Sequence, residues 1–142
     1  MIILGLYNGH NAAACVMKDG QILINWELER FSRIKHDYGF NQAFLDKTLE
    51  HCNITFDDID LMITNSQNFK RPPPWKVPPT AINYIESFMI NNKQAYALNH
   101  HLAHIASAYY TSPFNEATII TQDGGGDDEN FSYGTAQDNR IT

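Results

Sequence analysis

Two tight-turn signals in the first twenty residues constrain this chain more than any other feature. Ile2 to Tyr7 is a β-rich run, Asn8–Gly9–His10–Asn11 reads as a turn, and Ala12 to Met17 reads as a second strand. Lys18–Asp19–Gly20 is a strong hairpin signal, because Asp-Gly tolerates the positive φ that a short loop needs, and a third strand follows over Gln21 to Trp26. Strands joined this way form an antiparallel meander with an apolar face to cover. The elements predicted downstream can cover it. Asn41 caps a helix to about Cys52 that places Phe44, Leu45, Leu49 and Cys52 on one face. Ile59 to Thr64 is a strand after the polar turn at Asp57–Asp58. Thr80 caps a second helix through about Asn91, with Ile82, Ile85, Phe88 and Met89 as its stripe. Gln94 to Leu98 is a short strand, Asn99 opens a third helix ending before Pro113, and Ala117 to Thr121 is a strand leading into a polar hairpin-like stretch.

The predicted class is therefore α/β, in the order β-β-β-α-β-α-β-α followed by a new β-β. A three-stranded antiparallel meander followed by alternating β and α matches the half-domain of the ribonuclease-H/actin-like ATPase architecture, in which two halves face each other across a nucleotide cleft. The expected division is a first half-domain over residues 1–116 and the incomplete beginning of a second over 117–142. Within the first, Lys70 to Pro79 holds five of the six prolines and reads as a stiff, extended surface loop.

Charge and composition exclude several functions. A formal net charge of −6 leaves no basic excess to neutralise phosphates, so no nucleic-acid partner is expected. No apolar run approaches the ~18 residues that span a bilayer, and the N-terminal run lacks the basic flank of a signal peptide. Cys15 and Cys52 are expected to be reduced thiols in a cytoplasmic protein, with a disulfide between them left open.

The chemistry concentrates in NHHLAHIASAYY, Asn99 to Tyr110. His100 and His104 are four apart, so on a helix their Cβ atoms lie about 5–6 Å apart on one face. Such a pair presents two nitrogens to one borderline divalent ion. The glutamate that would make a zinc protease is replaced by His101, which has a packing, supporting or substrate-facing role. The plain alternative is that the histidines only satisfy backbone groups at the helix start. Ala103, Ala106, Ser107 and Ala108 allow close approach to a neighbour, which suits either reading. Asp123 at a strand tip can ligate a cation, and Gly124, Gly125 and Gly126 let backbone amides approach a phosphate. His10 sits at a turn tip, where an imidazole can take a proton at neutral pH. Arg33 and Lys35, in ERFSRIKHDYGF, form a local positive cluster that invites an anion.

GHNAAACV, ELERFSRIKHDYGF, NHHLAHIASAYYTSPF and ATIITQDGGGDD are similar, in that order, to the N-terminal region of the O-carbamoyltransferases, a family of nodulation-factor and antibiotic-tailoring enzymes. The resemblance covers nearly the whole chain. It implies an actin-like N-terminal domain and a separate C-terminal domain that makes carbamoyl-adenylate from ATP and carbamoyl phosphate. It also implies transfer of the carbamoyl group to a small-molecule hydroxyl, beside a divalent ion such as iron(II), manganese or zinc. On that resemblance His100, His104 and Asp123 are metal ligands, His10 is near the transfer chemistry, Gly124 to Gly126 cradle phosphate, and Arg33 or Lys35 contacts an anionic substrate group. The adenylate-forming part is an expected partner, a homodimer is a further expectation, and these residues alone are expected to be inactive. Two other readings stay open: a noncatalytic metal- or partner-binding module, and a relative of the threonylcarbamoyl-transfer tRNA-modification proteins.

Overall fold

Alternation of large and small apolar side chains along successive strands builds the core of the first unit. The computed structural model describes residues 1–39, 41–65, 85–126 and 129–142. They fall into two units, one of Met1–Thr64 with Ser87–Ala97 and the other of Asn65–Glu86 with Leu98–Thr142. In the first, β1 (Ile2–Tyr7) pairs antiparallel with β2 (Ala13–Lys18), which pairs antiparallel with β3 (Gln21–Glu27). On its other side β1 pairs in parallel with β4 (Leu61–Thr64), which pairs in parallel with β6 (Lys93–Leu98). With β5 (Ile85–Ile90) at the far edge, the mixed sheet has six strands in the order β3-β2-β1-β4-β6-β5. Every second residue points to one face, so Leu4, Leu6, Ala14, Val16, Met62 and Ala95 line a common buried surface.

A short helix, α1 (Leu28–Ser32), and the longer α2 (Gln42–His51) supply the covering side chains Leu28, Phe44, Leu45 and Leu49. The predicted cap is present, for Asn41 Oδ1 accepts the Phe44 backbone N–H at 2.9 Å. Inside, Trp26 Nε1–H donates to Thr48 Oγ1 at 2.9 Å, and that hydroxyl donates to the Phe44 carbonyl at 2.7 Å, so the partly buried indole and the buried hydroxyl are both satisfied. Cys15 and Cys52 are free, half-buried thiols, and burial raises the pKa of both.

One predicted element is overturned. The helix expected from Thr80 to Asn91 is, over its described part, the strand β5. Ile85 and Met89 are exposed while Phe88 and Ile90 are partly buried against the core, a period of two rather than 3.6. Asn91 and Asn92 both have positive φ, +46° and +63°, as a two-residue hairpin loop of type I′ requires. That dipeptide was the missed signal. Thr80, Ile82 and the proline-rich stretch 70–79 lie outside the described residues.

The second unit lays α3 (His100–Tyr110) on a sheet of β7 (Glu116–Gly126), β8 (Glu129–Gln137) and β9 (Arg140–Ile141), in that order. Ile105 and Tyr109 pack on Ile119 and Ala136. The expected close approach exists, but it comes from the sheet: a Cβ on Gly134 would lie 3.4 Å from Ile105 Cδ1 and 3.2 Å from the Thr142 carbonyl. Ser107 and Ala108, expected to face a neighbour, are exposed. Among the described residues no helix is long and apolar enough to cross a membrane.

Phe44 is fully buried and stacks at 5.8 Å from Trp26. Urea unfolding of Phe44→Ala is expected to show a loss of about 3–5 kcal/mol. Gln42→Ala, on the exposed face of the same helix, is expected to stay within about 0.5 kcal/mol of the parent.

Candidate metal centre

The first turn of α3 is locked by Asn99, whose Oδ1 accepts the backbone N–H groups of His101 at 2.7 Å and Leu102 at 3.1 Å. With that turn held, His100 and His104 stack one above the other, their rings meeting edge-on at 4.5 Å. The adjacent stripe, His101, Ile105 and Tyr109, is buried toward the sheet. On β7 the period is two, so Ile119, Thr121 and Asp123 face α3 while Ile120 is 66% exposed. The buried His101 Nδ1 lies 2.7 Å from Thr121 Oγ1, which lies 2.7 Å from Ser132 Oγ on β8.

Three atoms then converge. His100 Nε2 is 2.6 Å from Asp123 Oδ2, His104 Nε2 is 2.9 Å from His100 Nε2, and His104 Nε2 is 3.4 Å from the same Oδ2. These separations bracket the ~3.3 Å edge of a tetrahedron with metal–nitrogen bonds of ~2.0–2.1 Å. The donor chemistry points the same way. A neutral imidazole has one lone pair and an ionised carboxylate is acceptor-only, so three lone-pair atoms facing one point need a proton or a cation between them. Two imidazoles and one carboxylate suit a borderline divalent ion with positions left for other ligands, so the residues present fit a metal.

The Asp123 carboxyl is held down at about 2, first by the hydrogen bond from His100 and then by the Gly124 backbone N–H, which donates to its Oδ1 at 2.6 Å; partial burial opposes both. A carboxylate lowered in the folded state contributes stability above its ordinary value near ~3.9, and that contribution disappears as pH falls through about 2.

The other predicted residues are placed as follows. Gly124, Gly125 and Gly126 lie within β7 rather than beyond it, where its ladder with β8 becomes irregular between Gln122 and Gly126. Gly125 has φ +148° and requires glycine, while the Gly124 amide is engaged by Asp123. His101 has the packing role, tied to Thr121. His10, Arg33 and Lys35 belong to the first unit. There the 33–39 loop is strapped to the turn carrying His10 by Ala12 N–H to the Asp37 carbonyl at 3.3 Å and Gly39 N–H to the Gly9 carbonyl at 3.4 Å. Sequence reasoning missed Thr121 and Ser132; the two-residue spacing of Thr121 from Asp123 was the available signal for the first.

Anaerobic titration with iron(II), manganese(II) or zinc is expected to give one site per chain. His104→Ala and Asp123→Asn should each weaken it by at least ~100-fold, beyond the ~10–100-fold typical of losing an outer hydrogen-bond partner. The Asp123 carboxylate should still be ionised at pH 4 by side-chain carbon NMR.

Residues 75–142 match the family described as carbamoyltransferase N-terminus. Over 142 residues the chain is 32% identical to an uncharacterized protein of Methanocaldococcus jannaschii, covering 99% of this chain and 25% of the relative. It is 27% identical over 135 residues to the nodulation protein NolNO of Sinorhizobium fredii, covering 83% of this chain and 20% of that protein. An uncharacterized protein of Synechocystis is 26% identical over 167 residues, covering 94% of this chain and 27% of its own length. The chain thus spans about a quarter of the length of the curated relatives it matches. Residues 75–142 are thus similar to the N-terminal region of the carbamoyltransferases.

Proposed function

We propose that the chain is the N-terminal part of an ATP- and carbamoyl-phosphate-dependent O-carbamoyltransferase, which moves a carbamoyl group from carbamoyl-adenylate to an acceptor hydroxyl. The observation that carries this reading is the convergence of His100, His104 and Asp123 inside the stretch that matches the carbamoyltransferase N-terminus. The sheet order supports the half-domain plan of the ribonuclease-H/actin-like ATPases: β3-β2-β1 antiparallel, then β4 and β6 parallel to β1. In that plan the first half covers 1–116 and the second begins at 117.

His100, His104 and Asp123 would hold iron(II), or manganese or zinc, which when bound supplies positive charge to the phosphate oxygens of the leaving group. The remaining tasks fall to this chain's own side chains. As the acceptor oxygen attacks the carbamoyl carbon, its O–H bond breaks and His10 takes the proton, while the bond from that carbon to the adenylate oxygen breaks. The amides of Gly125 and Gly126 approach phosphate, with Gly124 holding Asp123 instead, and Arg33 or Lys35 contacts an anionic group. The net charge of −6 disfavours the tRNA-modifying alternative.

In this reading the adenylate-forming activity lies outside the region that this chain spans, about a quarter of its relatives' length, and the chain alone is inactive. The test supplies that portion of a relative in trans, with ATP, carbamoyl phosphate and a panel of hydroxyl acceptors, and looks for carbamoylated product by mass spectrometry. Product is expected only from the mixture, and His10→Ala should lower its rate by ~100-fold or more. Metal uptake with no product from any acceptor would leave the noncatalytic module as the better reading.

A further inference from the structure

We infer that Asn11 is a positioning residue that sets the tautomer of two histidines, His10 and His36, and so leaves Nε2 as the basic nitrogen of both. The inference deepens the reading of His10 as proton acceptor and rests on it.

The argument begins with one oxygen. Asn11 Oδ1 lies 3.1 Å from Nδ1 of His10 and 3.1 Å from Nδ1 of His36. An amide oxygen can only accept, so each Nδ1 must carry its hydrogen to make these bonds. A neutral imidazole protonated at Nδ1 has its lone pair at Nε2, and the nitrogen free to take a proton is thereby chosen by the bond the other one makes. One side-chain oxygen does this for two rings that are 26 residues apart in sequence (10 and 36).

The surrounding backbone shows that the arrangement is held. Asn11 and His36 both adopt left-handed conformations, φ +60° and +57°, uncommon for non-glycine residues although asparagine and histidine are among those enriched there. His36 is kept there by its own N–H, which donates at 2.9 Å to Glu29 Oε2, and the Glu29 side chain is only 16% exposed. On the next residues, Asp37 accepts the Ala12 N–H, Tyr38 bridges His10, and Gly39 donates to Gly9. The His10 ring also meets Tyr7 edge-on at 6.2 Å, and Tyr7 occupies space that opens only because residue 9 is glycine: a Cβ there would fall 2.6 Å from Tyr7 Cζ. The turn after β1 and the loop after α1 therefore meet at the one carboxamide.

The test is long-range proton–nitrogen NMR on the 142-residue chain with labelled histidine, at a pH well above the ordinary imidazole range of ~6.5. Both His10 and His36 are expected in the Nδ1–H form. Asn11→Gly keeps the left-handed backbone and removes the acceptor, and most of both rings should revert to the Nε2–H form that free histidine favours. Asn11→Asp keeps an acceptor and should retain Nδ1–H at both. Nε2–H at either ring in the parent, or an Asn11→Gly spectrum identical to the parent's, overturns the inference. The readout needs no carbamoyl transfer. A parent and variant set that behaves as expected, beside a completed enzyme with no product, would place the failure in the functional reading instead.

Discussion

The hydrogen bond between the His101 ring and the Thr121 hydroxyl is the constraint on which the candidate metal centre depends. His101 is fully buried, and its Nδ1 meets Thr121 at 2.7 Å while Thr121 is in turn tied to Ser132. A buried polar group left without its partner costs about 1–3 kcal/mol, so α3 cannot slide along β7 without penalty. From that one register the rest follows by periodicity. His100 and His104 flank His101 on the helix, Asp123 lies two residues beyond Thr121 on the strand, and the three ligand atoms meet because 3.6 and 2 are counted from the same pair.

The first unit solves a different problem. Its sheet is covered by α2 through Phe44, Leu45 and Leu49, and the residues with chemical potential lie in the turn after β1 and in the loop after α1. Rigid strands with reactive groups on the connections between them are a common division of labour. Here those connections are stiffened: backbone hydrogen bonds cross-link them, and Arg33, His36 and Gly39 all turn the chain at positive φ.

Much of this was legible from local pattern. The hairpin at Lys18–Asp19–Gly20, the cap at Asn41, the apolar face of α2 and the i, i+4 histidine pair all act over a few residues, and all are present. The stretch Ile85 to Ile90 was misread because Ile85, Phe88 and Met89 fit a helical stripe as well as they fit a strand. Strand pairing beside β6 decided it, aided by Asn91–Asn92. The role of small residues on α3 was also misassigned, since the close approach is made by Gly134 from the sheet.

The amino-acid order by itself determined where turns fall, which helix faces are apolar, and that two imidazoles sit one helical turn apart, because each depends on backbone preference and spacing within a few residues. Tertiary structure alone decided that His101 faces inward onto Thr121, and that the Asn11 oxygen beside His10 also holds His36. The contacts from His101 to Thr121 and from Asn11 to His36 join residues far apart along the chain, and no local preference encodes a distance that exists only once the sheets and helices have packed.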